Sequence, residues 1–165
     1  MKQLSKLSIL TVAMIALCSF MSTTVRAQSP HYIKGPTASL DPHTGDYCVT
    51  FKESGLGSGP VTYTLATSTG TVFTYQCFTK SGNNPQGPPN GIDGSTDKTI
   101  TTVTPHNGTV SATICLTPEV DGASCNGQGL DLRLVGTCYK GVTLSDGTSS
   151  TPVAIPDASS GTGCP

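Results

Sequence analysis

The chain has 165 residues, a formal net charge of −1, 12% charged and 5% aromatic residues, seven cysteines and no tryptophan. Without residues 1–27, six basic side chains remain against all ten acidic ones, which leaves a net charge of −4. No basic patch is then available to replace the counterions of a nucleic acid or an anionic membrane, which argues against both as partners.

The N-terminus has the layout of a secretory signal peptide. Lys2 and Lys6 precede an apolar run from Leu7 to Phe20, and Val25-Arg26-Ala27 places small or short residues where signal peptidase reads them. The run is shorter than the ~20 residues that cross a bilayer, which argues against a membrane anchor. We expect cleavage after Ala27 and a mature protein that is secreted, to the extracellular space or the periplasm, without membrane insertion.

Most of residues 28–157 alternates apolar and polar side chains with a period of two, as half-buried strands do, and we expect one monomeric domain here. Seven or eight short strands with one buried face each require two sheets packed face to face. We therefore predict an all-β fold, an immunoglobulin-like or fibronectin-like antiparallel β-sandwich cross-linked by disulfides. The absence of tryptophan argues against a true immunoglobulin domain. The predicted inward faces are Tyr47, Val49 and Phe51; Val61, Tyr63 and Leu65; Phe73, Tyr75 and Cys77; Val110, Ala112, Ile114 and Leu116; and Leu130, Leu132 and Leu134.

Two turns predict hairpins. Asn107-Gly108 supplies the positive φ values of a tight turn, so residues 99–104 and 109–116 are predicted to pair around it. The same turn accounts for the glycosylation sequon Asn107-Gly108-Thr109. A last hairpin is predicted around Ser145-Asp146-Gly147.

Two segments lack the alternation. Residues 80–96 are rich in Gly, Asn and Pro, and long loops of this kind are usually functional or disordered. Residues 158–165 are small and polar and predict a flexible tail, unless Cys164 holds it. Amide side chains in the long loop offer donors and acceptors, beside Tyr75 or Phe78 as a stacking face. The candidate binding residues are Asn83, Asn84, Pro85, Gln86 and Asn90.

Six cysteines lie beyond the signal peptide, whereas Cys18 is lost with it. An even number of dispersed cysteines behind an export signal predicts a disulfide framework in an oxidising compartment. No Cys-x-x-Cys pair occurs, which argues against a metal site. The six are Cys48, Cys77, Cys115, Cys125, Cys138 and Cys164.

Several short motifs recur together in a known group of proteins. They are Phe51-Lys-Glu-Ser-Gly-Leu-Gly57, Tyr63-Thr-Leu65, Tyr75-Gln-Cys77, Gly82-Asn-Asn-Pro85, Asn107-Gly-Thr-Val110, Cys125-Asn-Gly and Val142-Thr-Leu-Ser-Asp146. In this order, from about Asp46 to Pro156, the chain resembles small secreted bacterial proteins, common in soil bacteria, that are predicted β-sandwiches of unassigned function. Simpler members have only the cysteines matching Cys77 and Cys125, which implies that these two pair. The other four cysteines allow three pairings, which stay open.

No arrangement typical of catalysis is found. His31, His43 and His106 are isolated, and no Gly-x-Ser-x-Gly elbow occurs. We expect no enzyme, no catalytic residue, no metal and no cofactor. Weak calcium binding near Asp93 and Asp97 is a hypothesis, with solvated turn aspartates as the default.

These features predict a non-catalytic binding or surface-interaction module for an extracellular glycan or protein. A rigid cross-linked sandwich that displays a long loop is a common way to present recognition residues. The alternatives are a secreted enzyme inhibitor that uses the loop beside Cys77, or a structural protein of an envelope or matrix. Fold class does not choose among them.

Overall fold

Residues 29–82, 84–94, 98–119, 123–127, 129–148, 151–161 and 164 are described by the computed structural model. Over these residues the chain is all-β, as predicted, and no helix that could span a membrane is found. Counted by segments, the strands outnumber the predicted seven or eight, because the segments that the alternation misses lie at sheet edges and bury few side chains. They are β1 (His31–Leu40), β2 (Tyr47–Ser54), β3 (Val61–Ala66), β4 (Val72–Thr79), β5 (Asn90–Asp93), β6 (Lys98–Val103), β7 (Thr109–Leu116), β8 (Leu130–Tyr139), β9 (Thr143–Ser145), β10 (Val153–Ala154) and β11 (Ala158–Gly161).

The strands form three antiparallel sheets, ordered β1-β2-β7, β10-β9-β3-β6 and β11-β8-β4-β5. The second and third sheets continue each other in register. Ala66 of β3 lies opposite Thr143 of β9, and just past the break Val72 of β4 lies opposite Cys138 of β8. The outer strands β10 and β11, and β6 and β5, continue across the break in the same way. The two sheets are therefore the halves of one bent layer.

The bend has a local cause. Gly70 and Gly141 both have positive φ, 91° and 53°, a conformation that favours glycine and turns the chain out of the strand direction. Hydrogen bonds still cross the break: Ser68 N donates to Lys140 O at 3.1 Å, and Lys140 N donates to Thr71 Oγ1 at 2.9 Å. The chain thus bends without losing the pairing of its two central strands.

The core lies between the bent layer and the β1-β2-β7 sheet. Tyr47 of β2 stacks on Tyr139 of β8 with ring centroids 5.0 Å apart, and Phe51 of β2 meets Tyr63 of β3 at 4.7 Å. The predicted inward residues of β2 and β3 are buried, as are most of those of β7. The period-two alternation therefore predicts correctly which faces form the core.

The predicted hairpin between residues 99–104 and 109–116 is wrong in its pairing. The turn itself is present, since Asn107 and Gly108 have φ values of 52° and 69° and His106 N donates to Thr109 O at 2.9 Å. However, β6 pairs with β3 and β7 pairs with β2, so the turn carries the chain from one layer to the other. Buried Pro105 contributes to this outcome, because proline has no N–H to extend a β6–β7 ladder.

The last predicted hairpin is confirmed. Val153 lies opposite Leu144, and Ala154 lies opposite Thr143, so β9 and β10 pair as antiparallel neighbours. Thr148 N donates to Asp146 Oδ1 at 2.9 Å in the turn that follows β9. A short Asp side chain of this kind is a common way to close a turn.

Residues 80–96 do not form one long loop as predicted. Asn90–Asp93 is the edge strand β5, which pairs with β4. Before it, Gln86 N donates to Cys77 O at 2.7 Å, and Thr79 N donates to Asn84 O at 3.2 Å. The segment is the irregular return strand of a hairpin with β4. An edge strand held by backbone hydrogen bonds needs no apolar alternation, which is why the sequence pattern does not reveal it.

Three disulfides cross-link the described chain, which indicates an oxidising, extracellular-type environment. Cys77 pairs with Cys125, the pair that the resemblance implies. The remaining four pair as Cys48 with Cys115, on opposed residues of β2 and β7, and Cys138 with Cys164.

The C-terminal segment is a strand where the sequence predicts a flexible tail over 158–165. Ala158–Gly161 forms β11 against β8, and Cys164 ties the chain to Cys138. The sequence predicts a flexible tail unless Cys164 holds it, and the disulfide to Cys138 does hold it.

Candidate functional site

The predicted binding residues lie beside the outward face of the β4–β8 pair. Tyr75 is buried in the core, so Gln76 and Phe78, which alternate with it along β4, point outward. Across the ladder, Gln76 lies opposite Arg133 and Phe78 lies opposite Asp131. We define the Phe78 surface as these residues with Pro85: Gln76, Phe78, Pro85, Asp131 and Arg133.

An aromatic ring and a cation are in contact on this surface. The Arg133 guanidinium carbon lies 5.0 Å from the centroid of the half-buried Phe78 ring, while Arg133 itself is exposed. Such a cation–π contact contributes about 0.5–1 kcal/mol at an exposed position. Phe78 also forms a β-bridge with Pro85. Phe78 is thus bordered by a cation on β8 and by the return strand.

The amide residues predicted to bind lie along the return strand. Asn84, Gln86 and Asn90 are all exposed, and Asn90 lies opposite Tyr75 in the β4–β5 ladder. Asn83 lies outside the described residues. The structure therefore brings three of the four predicted amides, with Pro85, to one sheet edge next to the predicted stacking face.

Gln76 fixes this edge and is a residue that the sequence does not single out. Its Nε2 donates to Gly87 O at 2.8 Å, across the gap between the two paired parts of the return strand. The backbone pairing on either side, at Gln86 and at Asn90, completes the attachment. The exposed segment is therefore attached to β4 by hydrogen bonds at Gln86, at Gly87 and at Asn90.

A cavity of about 170 Å³ lies near the same edge, but on the inward side of β4 and β8, opposite the Phe78 surface. Tyr75, Cys77 and Asn90 line it together with Leu132 and Ser124. Pockets that enclose a drug-sized ligand usually measure about 300–1,000 Å³, so this one suits a single side chain or a small group. The Cys77–Cys125 disulfide ties the end of β4 to the segment before β8 at this place.

A wider groove of about 340 Å³ runs between the second half of β1 and residues 156–158. In its lining the Tyr47 hydroxyl donates to Pro156 O, and burial, followed by the charge of Asp157, raises the pKa of Tyr47 to about 12. Tyr47 therefore stays a hydrogen-bond donor at neutral pH and ties the two layers together. Pro36 and the register shifts of β1 protect this edge from pairing with another chain.

The predicted calcium site has no donor set in the described residues. Asp93 is an exposed residue of β5, and Asp97 lies outside the described ranges. Among the residues that are described, no three His, Cys, Asp or Glu side chains group in a way that could hold a metal ion. The calcium hypothesis therefore stays a hypothesis.

Arg133 and Gln76 show what the sequence could and could not reveal about the site. Both occupy outward positions of strands that the alternation predicts, so the sequence does contain a signal that they face solvent. Their placement opposite each other depends on the β4–β8 register, which includes a shift between Thr74 and Tyr75. A shift of this kind is a tertiary feature that local patterns do not encode.

No protein-family model, curated protein or solved structure matches this chain. The resemblance of the short motifs stays a prediction for that reason. What the protein does has to be argued from the geometry of its own residues.

Proposed function

We propose that this protein is a secreted, non-catalytic binding module that recognises an extracellular partner through the Phe78 surface and the return strand beside it. The main support is that the exposed residues from Asn84 to Asn90 are held against β4 by backbone hydrogen bonds and by the Gln76 side chain. Fixing a binding segment before the encounter lowers the entropy cost of association. Aromatic and Arg side chains, as at Phe78 and Arg133, are enriched in protein interfaces.

A protein partner suits this surface better than a glycan. A sugar would stack on the face of the Phe78 ring, but the Arg133 guanidinium already lies over that ring at 5.0 Å. An aromatic ring together with an Arg side chain is instead typical of protein interfaces. A glycan remains the alternative ligand class, to be separated by experiment.

We also infer a fibronectin-like architecture. Two strands that continue each other across the bend can be counted as one long strand. The long strands in chain order are then β1, β2, β3–β4, β5–β6, β7, β8–β9 and β10–β11. In the constant-type immunoglobulin domain the fourth strand joins the sheet of the first, second and fifth. Here the fourth strand, β5–β6, instead pairs with the third, β3–β4, in the layer that also contains the sixth and seventh strands. This exchange of one edge strand supports the fibronectin-like form of the sandwich over the constant-type immunoglobulin form.

A secreted location is part of the proposal. The three disulfides require an oxidising compartment. The charge pattern and apolar length of residues 1–27, which lie outside the described ranges, supply the export signal. Detection of the mature N-terminus at Gln28 in culture medium would test this part of the proposal.

The binding proposal is tested with a screen of the oxidised mature protein against purified extracellular proteins and a glycan array. Phe78→Ala and Arg133→Gln should each weaken binding about 10-fold or more, because each removes a central contact of the surface. Ile100→Ala is the matched control, since Ile100 is 57% exposed on β6 and lies outside the Phe78 surface. A bound partner whose affinity is the same for all three variants and the wild type would contradict the proposal.

Enzyme inhibition is the second candidate function, favoured by one observation. The exposed segment from Asn84 to Asn90 runs beside the Cys77–Cys125 disulfide, and inhibitors often present a disulfide-braced segment to the enzyme cleft. A panel of secreted proteases, assayed with the wild type and with Gln86→Ala, distinguishes this function. Inhibition that is lost in the variant would favour it over simple adhesion.

A further inference from the structure

A buried pair of carboxyl groups connects the two layers where β2 ends. Glu53 is an inward residue of β2 and is 1% exposed, and Asp146 follows β9 and is 6% exposed. Glu53 belongs to the β1-β2-β7 sheet, whereas Asp146 belongs to the bent layer. Buried carboxyl groups are costly unless they are hydrogen-bonded, so the contacts of this pair determine what it does.

A hydrogen bond between the two carboxyl groups requires a proton. The Tyr63 hydroxyl donates to Glu53 Oε2 at 2.8 Å. The carboxyl groups of Glu53 and Asp146 line the same cavity, and Asp146 lies close enough to raise the pKa of Glu53. Two carboxylates have only acceptors, so a hydrogen bond between them forms only when one of them is protonated. A direct hydrogen bond between the two carboxyl groups therefore exists only while the pair holds a proton, whereas the Tyr63 hydrogen bond does not need it.

The other titratable groups near the pair come from β1 and β3. His31 and Tyr32 of β1 line a cavity of about 90 Å³ together with Glu53 and Asp146. Burial and the charges of Glu53 and Asp146 raise the pKa of Tyr32, and burial and Glu53 raise that of Tyr63, so both phenols stay protonated. His31 is exposed, and its Nε2 lies 3.2 Å from Ser54 Oγ.

The environment of Glu53 favours its protonated form. Burial raises the pKa of Glu53 from 4.5 to about 7, assisted by the hydrogen bond and the charge of Asp146 and opposed by the Tyr63 hydrogen bond and by His31. Because the carboxyl groups are coupled, the pair titrates as a unit. Its proton is thus held up to about neutral pH and lost above it.

We propose that the proton shared by Glu53 and Asp146 acts as a latch. While the proton is bound, it helps to hold the two layers together where β2 ends, and when the proton is lost, the layers can separate there. After release, two negative charges lie side by side in a buried place, which favours separation of the carboxyl groups. The start of β1 is the part most able to move, since β1 pairs on one side only and its register shifts after Tyr32. Opening there exposes the cavity to solvent.

The sign of the pH effect follows from the raised pKa. The stabilisation is fully present below about pH 4.5 and is lost as the pH rises through about 7. Over this window the unfolding equilibrium constant should rise by a factor of roughly 300, the linkage expected when the pKa is 4.5 in the unfolded chain and about 7 in the folded one. The protein should therefore be more stable in mildly acidic than in mildly alkaline surroundings.

The test is thermal unfolding of the wild type, Glu53→Gln and Glu119→Gln between pH 4 and pH 9. Gln keeps the shape and hydrogen bonds of the protonated Glu53 but cannot lose the proton, so the loss of Tm toward pH 8 should vanish in Glu53→Gln. Glu119 is exposed, so Glu119→Gln should follow the wild type. A wild-type Tm that does not fall, or the same fall in Glu53→Gln, would overturn the latch.

A second measurement keeps the test decisive if Glu53→Gln does not fold. Carbon NMR of the wild-type carboxyl groups should show Glu53 titrating near neutral pH. Hydrogen exchange at His31 and Tyr32, corrected for the intrinsic pH dependence, should speed up over the same range. Titration of Glu53 near its ordinary value, with unchanged exchange of β1, would rule the latch out.

Discussion

At the scale of single residues, polar side chains in the core decide how this sandwich responds to its surroundings. The Tyr63 hydroxyl supplies a buried carboxyl with a donor, and the Tyr139 hydroxyl donates to Gly45 O at 2.8 Å. Each of these tyrosines fills core volume with its ring and joins separate segments through its hydroxyl. In a chain with 5% aromatic residues and no tryptophan, tyrosine therefore contributes both packing and polar cross-links.

Replacing Tyr63 with Phe tests the first of these contacts. The ring remains, but Glu53 loses the hydrogen bond that opposes the rise of its pKa, so this pKa should move above about 7. Leaving a buried acceptor without its donor should also lower the free energy of unfolding by about 1–3 kcal/mol. An NMR titration of Glu53 in both proteins checks the first expectation, and chemical denaturation checks the second.

Tyr75→Phe is the matched control for this variant. Tyr75 is also a core residue, but its hydroxyl donates to Glu119 O at 2.9 Å, whereas that of Tyr63 donates to Glu53. The titration of Glu53 should be unchanged in this control. A Glu53 pKa that stays the same or falls in Tyr63→Phe would contradict the described role of Tyr63.

At the scale of elements, the strands themselves are more predictable than their partners. The alternation in β2, β3 and β7 depends on which side chains are buried, and this information is local to each strand. The pairing of β6 with β3 instead of β7 depends on residues far apart in the chain. The strand β5 is hidden from the sequence because it lies at an edge, among glycines and prolines, with little apolar contact.

The candidate site likewise contains residues that the sequence predicts and residues that it does not. The sequence identifies Asn84, Pro85 and Gln86 through their loop-like composition, and Phe78 as a neighbouring aromatic residue. It misses Arg133, whose position over Phe78 depends on the register of β4 and β8. It also misses the pairing of Glu53 with Asp146, because the two carboxyl groups come together only when the two layers pack.

The disulfide beside the return strand should matter for both stability and binding. Replacing Cys77 and Cys125 together with Ser removes a crosslink over a sequence separation of 48 residues and should lower the free energy of unfolding by about 2–4 kcal/mol. Binding should weaken as well, because the end of β4 carries Phe78. Chemical denaturation and the dissociation constant measure the two effects.

The Cys48–Cys115 pair provides the comparison. It joins opposed residues of β2 and β7, in the sheet that faces the bent layer, and should cost a similar amount of stability when both residues become Ser. It lies outside the Phe78 surface, so binding should persist wherever the variant is folded. Equal losses of binding in the two double variants would show that the crosslink acts on stability alone.

At the scale of the whole molecule, three disulfides fix the strands that surround one small core. Cys48–Cys115 crosslinks the three-stranded sheet, Cys77–Cys125 fixes the end of β4, and Cys138–Cys164 fixes the C-terminal strand. Thr99 Oγ1, on the edge strand β6, donates to Cys115 O of β7 at 2.7 Å. The result is a cross-linked scaffold that presents the outward β4–β8 face, which we propose for recognition, while the core side holds the fold.

Hydrogen exchange of the whole protein, with and without the partner found in the binding screen, tests the central claim most directly. The partner should slow amide exchange in residues 76–79, 84–87 and 131–133, and should leave the amides of β2 and β7 unchanged. Protection confined to the β1-β2-β7 sheet, with none at the end of β4, would show that the protein binds its partner elsewhere and would contradict the proposed function.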